Sequence, residues 1–149
     1  MDDDALQEDP DRVALEHVIH VLNPLRQHRQ ARAERAQRQA QQTLEAGQEQ
    51  LTQAKDVLTD ETARKGVQRQ AMATEHLNQA MTLKDMDRWQ YKERKLLDHL
   101  SRLRQGIEQQ RRAVVAQQQA VLDAQRSAKA AQRATEKLAC LAEAIADES

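Results

Sequence analysis

From Trp89 onward, apolar residues return every three or four positions: Leu96, Leu100, Leu103, Ile107, Val114, Val121, Ala124, Ala128, Ala131, Leu138, Ala142 and Ile145. Alternating steps of three and four keep side chains on one stripe of an α-helix, and sustained over many turns they define a coiled-coil seam. An earlier stretch has the same period, with Leu44, Leu51 and Leu58 recurring every seven residues and Ala33, Ala40, Gly47 and Ala54 at the complementary positions. That seam is thin. Glu93, Gln110, Gln117 and Thr135 fall on the later seam as polar residues, so burial is modest along both.

Nearer the start, Val13, Leu15, Val18, Ile19 and Leu22 predict a short amphipathic helix. Asp9, Pro10 and Asp11 suit its first turn, where Pro is tolerated and carboxylates meet the positive end of the helix dipole. Pro24 removes a backbone donor and disfavours helical geometry at Asn23, which predicts a kink or break there. No Pro follows it. Met1 to Asp9 is acidic and without periodicity, and reads as a disordered tail.

The two long patterns fit each other as an antiparallel pair. Leu44 with Val121, Leu51 with Val114 and Leu58 with Ile107 share one constant sum of residue numbers. That register puts the reversal between Thr82 and Leu83, with Asn78 ending one helix and Thr82 or Asp85 capping the next. It lays the first short helix beside Leu138, Leu141 and Ile145. The expected fold is all-α: a long antiparallel two-helix coiled-coil hairpin with a short kinked N-terminal helix. Residues 10–149 form one domain, with helices at about 11–79 and 85–147, a turn at about 80–84 and arms of roughly 90 Å. Heptad arithmetic equally admits a shift by one repeat, or a straight helix that dimerises in trans.

Composition removes whole classes of function. The 149 residues hold no Phe, one Trp, one Tyr and three Gly, too little for a compact core, and Gly47, Gly66 and Gly106 stand alone inside helical patterns, not in a phosphate-binding loop. A two-helix rod has no cleft in which to tune a nucleophile or base, so catalysis is not expected. His17 and His20, with His28 beyond Pro24, find no matching Cys or carboxylate, so no metal or other cofactor is expected. The single Cys140 excludes an internal disulfide and reads as a small apolar residue near the seam, in a reducing compartment. No apolar run is long enough for direct membrane insertion, and the acidic start is the reverse of a secretory signal.

The net charge of −1 hides segregation. After the acidic start come Arg26, Arg29, Arg32, Arg35 and Arg38, stepping by three so that the guanidiniums rotate around the helix. Such a ladder is either plain solvated charge or a site for a partner that surrounds the helix. Nucleic acid is disfavoured as a partner, because no aromatic residue is interleaved for stacking. Around the presumed turn gather Met72, His76, Met81, Met86 and Trp89, which either close the end of the coil or form a docking surface.

The run Leu25-Arg26-Gln27-His28-Arg29-Gln30-Ala31-Arg32-Ala33-Glu34-Arg35-Ala36 resembles the basic N-terminal signature of the FliJ/YscO/HrpO family of bacterial type III secretion. The segment Leu83 to Leu103, with Trp89-Gln90-Tyr91-Lys92-Glu93-Arg94 leading into Leu96-Leu97, resembles the start of that family's second helix. Asn23-Pro24-Leu25-Arg26-Gln27-His28 is most similar to the HrpO branch. The resemblance implies a cytoplasmic stalk at the base of the secretion apparatus, coupling the hexameric secretion ATPase to a membrane protein of the export gate. An ATPase regulator or stator protein and secretion chaperones are further implied partners. It assigns Arg26, Arg29, Arg32, Arg35, Arg38, Arg126, Lys129 and Arg133 to the ATPase pore, and Met72, His76, Met81, Met86 and Trp89 to the export-gate end. The alternative from another class is a self-assembling structural coiled coil with no ATPase partner.

Overall fold

A computed structural model describes residues 9–77 and 80–148. They form two helices, α1 (Pro10–Leu77) and α2 (Leu83–Asp147), and no strand occurs among the described residues. The fold is an all-α helical hairpin. The expected disordered tail, apart from Asp9, and the helix end at Asn78 lie outside the described residues.

Both helix starts are capped as their residues dictate. The Asp11 amide donates to Asp9 Oδ1 at 3.1 Å, and the Val13 amide donates to the Asp9 carbonyl at 3.0 Å, so Asp9 is the N-cap and Pro10 follows it without wasting a donor. At α2 the Asp85 amide donates to Thr82 Oγ1 at 3.3 Å while the Thr82 amide donates to Asp85 Oδ2 at 3.4 Å. This reciprocal pair starts the helix two residues before the expected position.

The expected break at Pro24 does not occur; α1 is helical through it. Pro24 is exposed and removes one N–H, that which the His20 carbonyl would accept, and His20 is also exposed to water. The seam continues across it through Ile19, Leu22, Arg26, Gln30 and Ala33, all half-buried, and this packing holds the flanking turns.

Contacts divide the chain into two units, one comprising Met1–Gln42 with Gln118–Ser149 and the other Thr43–Gln117. In the first, the terminal unit, Val121, Ala128, Leu138 and Ile145 are buried, Leu138 most completely at 4% exposure. In the second, the turn unit, Leu44, Leu100, Ile107 and Val114 are buried and Leu51 and Leu58 half-buried. Every seam position expected on α2 is buried or half-buried, including the polar Glu93, Gln110, Gln117 and Thr135.

Polar residues make their own contacts in the turn-unit seam. Gln110 Nε2 donates to the Gly47 carbonyl at 3.2 Å and to Gln50 Oε1 at 3.3 Å. A Cβ on Gly47 would collide with Gln117 Oε1, the end of a flexible side chain, so the absent Cβ leaves room for the Gln117 amide against α1. Gly66 and Gly106 differ: both are exposed within helices, and a Cβ on either meets nothing within 4 Å. Replacing each by Ala should therefore stabilise the hairpin by about 0.5–1 kcal/mol. Thermal unfolding followed by circular dichroism checks this, and a lower midpoint for Gly66→Ala would refute it.

Candidate partner-binding surfaces

The arginine ladder divides by burial. Arg26 lies in the seam, where Nη1 donates to the Ala134 carbonyl at 2.8 Å and its own carbonyl accepts from Thr135 Oγ1 at 3.4 Å. It ties α1 to α2 within the terminal unit. Unlike the other arginines of the ladder, Arg26 is half-buried and has its Nη1 engaged by an α2 carbonyl. Arg29, Arg32, Arg35 and Arg38 are exposed, as are Arg126, Lys129 and Arg133, and none makes an ion pair among the described residues. Seven cations of one unit thus have no carboxylate partner among the described residues.

The start of α1 departs from expectation. Of Val13, Leu15, Val18, Ile19 and Leu22, only Ile19 and Leu22 turn toward the seam, while Val13, Leu15 and Val18 are 40–48% exposed. On α2 Leu138 and Ile145 are buried, but Leu141 is 43% exposed. The reason is geometric. One facing helix covers about one position in three, and five apolar residues within ten exceed that share. Cys140 is also exposed, two residues beyond Leu138 on the outer face, and does not fill the seam.

In the turn unit, Met72, His76 and Trp89 meet around a small cavity that Glu75, Asp85, Arg88 and Lys92 complete. The His76 and Trp89 rings lie 6.1 Å apart at 46°. Met81 is half-buried and Met86 is 43% exposed, and neither lines that cavity. Further along, Lys95 Nζ sits 4.7 Å from the centre of the exposed Tyr91 ring, and Arg69 Nε donates to Glu93 Oε1 at 3.0 Å. Aromatic, thioether and charged groups therefore share one short segment, a mixture suited to a protein surface more than to a small ligand.

Lys65 was not singled out by sequence reasoning, yet it is the one charged residue buried among those described, at 6% exposure. Its Nζ lies 3.9 Å from Glu61 Oε2, which also meets Arg64 at 2.9 Å and His99 Nε2 at 3.9 Å. Among the described residues no helix is long and apolar enough to cross a membrane.

A family model described as type III secretion protein YscO matches residues 19–149. No curated protein and no solved structure matches the chain.

Proposed function

Because the chain belongs to the YscO family of type III secretion proteins, we propose that it is a non-catalytic stalk that couples the hexameric secretion ATPase to the membrane export gate from the cytoplasmic side. The observation that carries this reading is the set of seven exposed cations on the terminal unit that find no carboxylate partner among the described residues. An exposed guanidinium gains little within its own chain, whereas a ring whose lumen carries carboxylates gives many weak contacts at once. An asymmetric helical pair inside such a ring makes its subunits non-equivalent, which is the mechanical requirement for coupling. The Met72, His76 and Trp89 cluster would meet the export gate. A stator protein and secretion chaperones are further partners of the same kind of surface.

The test is the rate of the hexameric secretion ATPase from the same organism, with and without this protein. Stimulation is expected. Changing Arg29, Arg32, Arg35 and Arg38 together to Ala should weaken binding by on the order of tenfold to a hundredfold, at about 0.5 kcal/mol for each lost contact. The remaining binding should depend less steeply on salt. Stimulation that survives the four changes would remove the electrostatic mechanism. No stimulation by the wild type would remove the stalk reading.

A further inference from the structure

Five large apolar residues at the start of α1 are exposed, and three of them, Leu15, Val18 and Leu25, lie on one stripe, with Val13 and Val21 off it. Leu15, Val18, Leu22 and Leu25 step by three, four and three, the same alternation as the seam, and so form a second stripe beside it. Leu15, Val18 and Leu25 are 40%, 48% and 52% exposed, and the half-buried Leu22 belongs to both stripes.

Leu141 of α2 stands on the same side. In an antiparallel pair, positions that follow the seam on both helices share one flank, and positions that precede it share the other. The shallow cavity lined by Ile19, His20, Ile145 and Ala146 marks the first flank. Leu15, Leu22 and Leu141 precede the seam residues Ile19, Arg26 and Ile145 by four, and mark the second. The cavity seats Ile19 beside Ile145, so Leu141, four residues earlier on the antiparallel helix, is level with Asn23 and Pro24, beside the Leu22 and Leu25 half of the stripe.

The ends of the stripe decide what covers it. Continued with the same alternation, it begins at Asp11 and runs past Leu25 to Arg29. Both charged residues are exposed, and neither makes an ion pair among the described residues. The order is therefore acidic, four apolar, basic. Turned end for end, that order is its own complement: Asp11 meets Arg29, Leu15 meets Leu25 and Val18 meets Leu22, while Leu141 widens the Leu22 and Leu25 half of each copy's stripe. A parallel arrangement would set Arg29 against Arg29. We infer that this stripe is a two-fold interface at which a second copy of the chain docks antiparallel.

The patch is small, so the dimer forms weakly and with clear concentration dependence, as interfaces below about 1,200 Å² do. It also occupies the unit that carries the exposed arginines. Self-association then competes with partner binding there, a consequence that rests on the stalk reading although the dimer itself does not.

Sedimentation of the full chain from micromolar to millimolar concentration tests the inference. The wild type should pass from monomer to dimer. Leu25→Glu should weaken the dimer tenfold or more, whereas Val115→Glu, exposed but off the stripe, should leave it unchanged. Asp11→Arg and Arg29→Asp should each weaken it, and the two combined should restore it. All these positions are exposed, so helicity by circular dichroism should hold throughout. A wild type that stays monomeric, a dimer indifferent to Leu25→Glu, or a combined charge swap without recovery would each overturn the interface. Failure of ATPase stimulation with an intact dimer would count against the stalk reading alone.

Discussion

Leu138→Asp should unfold the terminal unit, at a cost of about 3–5 kcal/mol for the lost apolar burial together with an unpaired carboxylate in its place. Leu138 is the most buried of the apolar core side chains, at 4% exposure, and its unit contains no second layer that could close over the loss. A two-helix seam also has little surplus, because ordering each residue costs about 1–2 kcal/mol and each large buried apolar side chain returns only about 1.5–3. Amide hydrogen exchange should show loss of protection over 19–40 and 124–145, and helicity at 25 °C should fall. Val115→Asp, at a position 64% exposed, should change stability by less than about 0.5 kcal/mol. Equal effects at the two positions would mean that the seam does not hold the unit together.

Much of this architecture is legible from period alone. The 3-4 alternation on α2 finds its buried face from Trp89 to Ile145, polar members included, because a helix facing one other helix has only one stripe to bury. Register is legible too. His76 faces Trp89, and the Gly47 backbone faces Gln117, at the levels that the leucine pairs of the sequence require. Thr82 and Asp85 signal their cap by residue type and spacing.

Residue type misleads where it is allowed to outvote period. Counting back from Ala33 in steps of three and four lands on Gln30 and Arg26, so the seam includes an arginine, although its charge suggests the surface. Its long stem can lie along the seam while the guanidinium reaches the Ala134 carbonyl. Val13, Leu15 and Val18 err in the opposite direction: their hydrophobicity suggests burial, but they stand off the stripe that α2 covers. Pro24 is tolerated for the same kind of reason, since it faces away from the seam and removes a single hydrogen bond. The partner surfaces are less legible than the fold. Whether an exposed charge finds a counterion depends on side chains from both helices, which periodicity does not specify.

Lys65 lies one heptad beyond Leu58, at the next position of the Leu44, Leu51 and Leu58 series, and this placement yields two predictions of opposite sign. Glu61→Ala removes the carboxylate 3.9 Å from the Lys65 ammonium and should destabilise the turn unit by about 1–3 kcal/mol. That figure is below the usual cost of orphaning a buried charge because the Glu61 side chain keeps 22% exposure. Lys65→Leu instead completes the apolar series and should stabilise by about 1–2 kcal/mol, as apolar replacements of buried ions often do. It should also relax specificity. A lone polar residue on a seam disfavours registers and assemblies that cannot pair it, and with four leucines in heptad spacing α1 becomes competent to associate in trans. Thermal melts of both variants, with light scattering on a size-exclusion column, separate the effects: a lower midpoint for Glu61→Ala, and a higher midpoint with larger species for Lys65→Leu. If Glu61→Ala leaves the midpoint unchanged, the ammonium reaches water and the layer sets no register. If Lys65→Leu is more stable and keeps the oligomeric distribution of the wild type, hairpin specificity resides in the Gln117 and Gln110 contacts at Gly47.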